Sequence, residues 1–183
     1  MARGLRVFQF RPVLRVMFKC CVDGLGPWVL SKLYRTRVVS VRFALSRGQP
    51  SDWVGYWAGV SGVNSGAIVP DEQYTAYCDI PLSAMKYNKV VRFADSQKGK
   101  KYNLFGVIAC ALTGRCLTWK SSDALFCSEY VAATLREAGL LKNMRPENTL
   151  PHDILSALEN GGYDVTWPNE LEAVTVAVPS QPV

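Results

Sequence analysis

Phe126-Cys127-Ser128-Glu129-Tyr130-Val131-Ala132-Ala133-Thr134-Leu135-Arg136-Glu137-Ala138-Gly139-Leu140 is the stretch on which the reading of the chain turns. Val131, Leu135 and Ala138 recur at helical spacing, Ala132 and Ala133 favour helix, and Gly139 stands where a helix stops in a left-handed turn. One amphipathic helix is expected, with Cys127 in or just before its first turn. Free backbone N–H groups and the positive end of the macrodipole favour a thiolate there, which is the placement a cysteine nucleophile needs. Two alternatives stay open on spacing alone. Cysteine is among the most commonly buried residues, so Cys127 can be a small core hydrophobe. A helix begun earlier, with Asp123 as its cap, would move Cys127 to the second turn and weaken the dipole argument.

The residues around Cys127 add a resemblance. Phe126-Cys127-Ser128-Glu129-Tyr130-Val131, followed by Ala138-Gly139-Leu140 and by Leu150-Pro151-His152-Asp153-Ile154-Leu155, resembles the circularly permuted branch of the NlpC-type cysteine peptidases. Tyr102-Asn103-Leu104-Phe105-Gly106 is similar to the Tyr-Asp-x-x-Gly that precedes the nucleophile helix in that branch. The resemblance covers roughly residues 40 to 160. It implies a papain-like α+β fold with a small antiparallel sheet packed against the nucleophile helix. The activity implied is hydrolysis of cell-wall peptides or related amide and thioester bonds, with Cys127 as nucleophile and no cofactor.

The permuted branch carries its histidine upstream of the cysteine, at the start of a strand, as Ser-His followed by small and apolar residues. Asn64-Ser65-Gly66-Ala67-Ile68-Val69 fits that pattern, with Gly66 in the histidine's place. A thiol at its free pKa is only a few per cent thiolate at neutral pH, and this chemistry relies on an imidazole to hold the thiolate and protonate the leaving amine. The chain has a single histidine, His152, twenty-five residues after Cys127. It sits where Pro151 starts a helix with Ile154, Leu155 and Leu158 on its apolar face, so it is expected at the surface or at the helix cap rather than as a base. Asp79 or Glu72 stands near the place of the polar residue that would orient an imidazole; without one, neither has that role.

Two readings follow. In the first, the fold is kept and catalysis is lost, leaving a binding or structural domain. In the second, another group activates Cys127 and the chain is an active endopeptidase or amidase on peptidoglycan peptides. Members of the branch occur in bacteria and phages, where hydrolase domains are built into virions, so a virion protein is the expectation and a cytoplasmic one the alternative.

Charge is uneven along the chain. Through Arg47 ten basic residues stand against Asp23 alone, although the whole chain carries a formal charge of only +6. Arg3, Arg6, Arg11, Arg15 and Lys19 interleave with apolar residues. Arg11, Arg15 and Lys19 fall four apart, which suits one face of a helix with Val13, Val16 and Met17 on another. Residues 1–36 are accordingly expected to form a basic amphipathic extension that docks on other protein subunits, on nucleic acid or on an anionic membrane, or to pack as a peripheral helix on the domain itself. Residues 37–178 would then be the domain and 179–183 a loose tail.

An apolar fraction of 49% and a charged fraction of 20% suit a globular chain of 183 residues with a sizeable core. Cys20, Cys21, Cys78, Cys110, Cys116 and Cys127 form no CxxC pair, and no His/Cys spacing suits zinc, so free thiols in a reducing compartment are expected and no metal site. The remaining pattern predicts strands over residues 37–45, 67–69, 74–80, 90–93 and 163–167, and short helices over 28–34 and 52–60. It also predicts a buried helix over 103–113, a basic turn at Lys98-Gly99-Lys100-Lys101, and a further strand over 171–178.

Overall fold

Val13–Cys20 reads Val-Leu-Arg-Val-Met-Phe-Lys-Cys and forms strand β1. In the computed structural model, which describes residues 11–20, 38–49, 51–68, 76–112 and 121–167, this strand lies inside a six-stranded antiparallel sheet. The other strands are β2 (Val38–Ser46), β3 (Val54–Gly59), β4 (Gly62–Ala67), β5 (Ala76–Pro81) and β8 (Val165–Thr166), in the order β4-β3-β2-β1-β5-β8. The helices are α1 (Ala84–Ser96), α2 (Leu104–Leu112), α3 (Cys127–Glu137) and α4 (Pro151–Asn160). A second ladder is parallel and short, β6 (Lys101–Tyr102) beside β7 (Ala124–Leu125). The fold class is α+β.

The core lies between the sheet and its helices. Leu14, Val16 and Phe18 of β1, Val41, Phe43 and Leu45 of β2, and Cys78 and Ile80 of β5 alternate into one face. Tyr130, Val131 and Leu135 of α3, Val90 and Ala94 of α1, and Ile154 and Leu158 of α4 meet them. The Tyr130 ring stands edge-on to Phe43 at 5.1 Å, and its hydroxyl donates to the Ala94 carbonyl at 3.0 Å, locking α3 to both β2 and α1.

Three expectations are corrected here. Residues 13–20 are strand, not helix, and the described part of the basic extension is a central strand of the sheet. A spacing of four is close to one helical turn but is also twice the strand period, so Arg11, Arg15 and Lys19 share a face either way. The alternation of buried Leu14, Val16 and Phe18 settles it as strand. Residues 54–59 are strand β3 rather than a shielding helix. Tyr56 stacks on Phe43 at 5.0 Å from one face of the sheet, and Trp53 and Trp57 lie on the other. Residues 90–93 belong to helix α1, where Val90 and Ala94 are buried one turn apart and Ser83 caps the start by accepting from the Lys86 N–H. The strand expected at 67–69 meets β4 only at Ala67, where that strand ends; Ile68 is outside it and Val69 lies outside the described residues. The pieces expected at 28–34 and 171–178, with Arg3, Arg6, Glu72, Cys21 and Cys116, lie outside the described residues.

Candidate functional site

Helix α3 starts at Cys127, not at Asp123, because Phe126 is still extended at φ −102°, ψ 167°. The Glu129 carboxylate turns back and accepts from the Phe126 N–H at 3.4 Å, and the Ser128 hydroxyl donates to the Thr149 carbonyl at 2.7 Å. The first bond closes the start of the helix on itself, and the second seats its first turn against the segment that leads into α4. Gly139 closes the C-terminal end with φ +77°.

Cys127 is 6% exposed, and its thiol faces the N-terminal half of β2. The ladder between β2 and β3 covers only Phe43–Leu45, so beyond Phe43 that flank of β2 is where α3 brings its first residue. Four donors reach the sulfur: the N–H groups of Val41 and Ser128, and the hydroxyls of Ser40 and Tyr102. Tyr102 is carried there by the β6–β7 ladder, where the Asn103 N–H donates to Leu125 at 3.1 Å and the Lys101 N–H to Asp123 at 2.8 Å. Burial pushes the thiol above its ordinary pKa, and the four donors offset that only in part. The resting group is a neutral thiol.

Gly66 is not near this site's approach. In β4 it pairs with Gly55, and a Cβ built on it would lie 3.4 Å from the Trp57 ring. Trp57 stacks beneath Arg42 on the face of the sheet away from Tyr56 and α3, so a side chain at position 66 points away from the Cys127 helix. The expectation that Gly66 fills the histidine's place is therefore corrected. Of the strand residues that bear on the thiol, Ser40 is one that sequence reading passed over. Its only signal was a small polar residue inside the apolar run Val38-Val39-Ser40-Val41.

His152 lies in the first turn of α4, its Nε2 3.4 Å from Asp153, with 29% of the side chain exposed. The cap of α4 is Asp153, which accepts from the Leu150 N–H at 2.8 Å. Asp79 is paired with Arg15 at the opposite side of the sheet centre. Arg11 is exposed and Lys19 half-buried, while Arg15 is paired with Asp79.

Cys78, Cys110 and Cys127 are buried free thiols. Among the described residues no three His, Cys, Asp or Glu side chains gather as a metal site, and no helix is long and apolar enough to cross a membrane. Against known proteins, no family model matches this chain and no curated protein matches it.

Proposed function

We propose that this chain is a permuted NlpC-type, papain-like domain that has lost catalysis and serves as a structural or binding component, in a phage particle on the analogy the resemblance supplies. One observation carries the reading. The Cys127 thiol is buried at a helix N-terminus where a nucleophile would stand, yet burial holds it above its ordinary pKa, and the groups that pull it down are two hydroxyls and two backbone N–H groups. None of these can take up the thiol proton near neutral pH, because seryl and tyrosyl hydroxyls ionise at pKa values of about 10 or above. The chain has one imidazole, His152, and its Nε2 lies 3.4 Å from the Asp153 carboxylate.

The active-hydrolase reading keeps one support. The backbone of Val41 and Ser128 and the hydroxyls of Ser40 and Tyr102 pull the thiol pKa down, as donors that stabilise an anion do, and would suit a thiolate once formed. Iodoacetamide alkylation from pH 5 to 9, with Cys127→Ala used to subtract the other thiols, separates the two. Slow alkylation whose midpoint lies at or above about 8.5 is expected. A midpoint well below that value would overturn the proposal and call for a base. Ser40→His supplies a positive control, since an imidazole beside the sulfur should raise alkylation at pH 7 by about tenfold or more.

A further inference from the structure

Helix α2 is built of Leu-Phe-Gly-Val-Ile-Ala-Cys-Ala-Leu, without one charged side chain. Only part of it is used by the fold. Val107 and Cys110 are 3% and 1% exposed and pack with Phe126 and Leu150 in a small cluster separate from the main core. Leu104, Phe105 and Ile108, which share the opposite side, are 55%, 72% and 39% exposed. The sequence alone predicts a buried helix here, and a buried helix is apolar all round. This one has an apolar stripe in water, which in a soluble chain marks a surface that something covers.

The stripe is held firmly. The Asn103 side chain accepts from the Gly106 N–H at 2.8 Å, and the Val107 N–H donates to the Asn103 carbonyl at 3.2 Å. A Cβ on Gly106 would come within 2.5 Å of the Asn103 amide, so glycine is what lets this cap close. The cap fixes which side of α2 faces outward.

Charge decides the occupant. Between Asp95 and Asp123 the chain carries Lys98, Lys100, Lys101, Arg115 and Lys120 and no acidic residue. Lys101 is exposed just before the stripe begins at Leu104, with the half-buried Lys100 beside it, whereas Lys98 is paired with Asp95 at 2.7 Å. A second copy docking stripe to stripe would bring two lysine clusters together, and like charges across an interface oppose it. An anionic bilayer surface has neither problem. Its phosphates pair with the lysines, and its headgroup–acyl boundary takes aromatic and aliphatic side chains from a helix lying in the plane. With nine residues, α2 is about 13 Å long, suited to lying on a bilayer and not to crossing one.

We infer that Leu104, Phe105 and Ile108, with the lysines of the preceding turn, form a docking surface for an anionic lipid membrane. The test is co-sedimentation of the full chain with phosphatidylcholine vesicles made with and without phosphatidylserine. Binding is expected only with phosphatidylserine, and should weaken as salt is raised. The triple variant Leu104→Ser, Phe105→Ser, Ile108→Ser, checked for an unchanged circular-dichroism melt, should lose at least about tenfold in binding. Lys100→Gln with Lys101→Gln should weaken binding without touching the stripe. If the triple variant does not fold, Phe105→Ser alone is used, with a smaller loss expected. No binding to phosphatidylserine vesicles would overturn the inference. So would undiminished binding by the stripe variants, which would point to basic residues such as Arg3 and Arg6. A wild-type dimer in light scattering that the triple variant dissolves would overturn it in favour of a second copy.

Discussion

Arg15 is gripped from three directions at once. Its Nε and Nη2 donate to the two carboxylate oxygens of Asp79 at 2.7 and 2.6 Å, and its guanidinium lies 4.6 Å from the Trp53 ring and 4.4 Å from the Tyr77 ring. The bidentate bond to Asp79 raises the guanidinium pKa above its usual value, against the pull of burial. The Arg15 side chain is 18% exposed and Asp79 40%, so solvent screens the pair in part. Arg15→Ala is expected to lower stability by about 1–2 kcal/mol, because ring contacts are lost with the ion pair. Asp79→Asn should cost less, and Arg15→Lys should recover only a fraction, since an ammonium cannot bond both oxygens and stack at once. Urea unfolding of the three variants measures the order; equal costs for Arg15→Ala and Asp79→Asn would mean the rings contribute nothing. The sequence shows Arg15 as one charge in a basic run. Its partner sits sixty-four residues away, across the β1–β5 register in which Arg15 faces Asp79, and nothing local announces that.

Strand β1 was the element most open to misreading, and it stands between β2 and β5 rather than outside the domain. Its paired register runs from Val13↔Ser46 to Cys20↔Val38 on one side and from Val13↔Pro81 to Phe18↔Ala76 on the other. Removing it would open two edges and uncover Leu14, Val16 and Phe18, each 0% exposed. Deletion of residues 1–22 is thus expected to abolish cooperative folding, seen as loss of a thermal transition; a soluble product with a sharp melt would show that β1 is dispensable. Helices α3 and α4 were legible because their periodicity agrees with their caps, Glu129 and Pro151-Asp153. Helix α1 was not, because Val90-Val91-Arg92-Phe93 has strand propensity, and only burial of Val90 and Ala94 against α3 overrides it.

Among the described residues, the buried acids with resolved shifts all move toward the neutral form. Burial raises Cys127, takes Cys78 to about 11 and Tyr56 to about 12, and drives Tyr130 higher still. A folded-state pKa above the unfolded one means that the folded state holds its proton longer. Stability from these groups is therefore complete below the unfolded thiol value of about 8.5 and is lost as pH rises toward 11 and beyond. Melting temperature should hold steady from about pH 6 to 8 and fall from about pH 9 upward. Cys78→Ala should flatten part of that alkaline fall, whatever it costs in packing at neutral pH. A melt that is insensitive to alkali would mean these groups ionise without unfolding the chain.

The amino-acid sequence by itself determined the α+β class, helices α3 and α4, the strand at Val38 and the turns at Gly99 and Gly139, whose φ values are both positive. Each follows from local propensity and pattern, which neighbours along the chain suffice to express. It also determined that one histidine must serve any imidazole chemistry in the chain. The tertiary structure decided what pattern left degenerate: that a four-residue spacing is a strand, that Gly66 faces away from Cys127, that Ser40 and Tyr102 meet the sulfur, and that α2 keeps an apolar stripe exposed. The physical reason is that a strand's face and a thiol's neighbours are set by register and packing between segments distant in sequence, and periodicity within one segment carries no record of them.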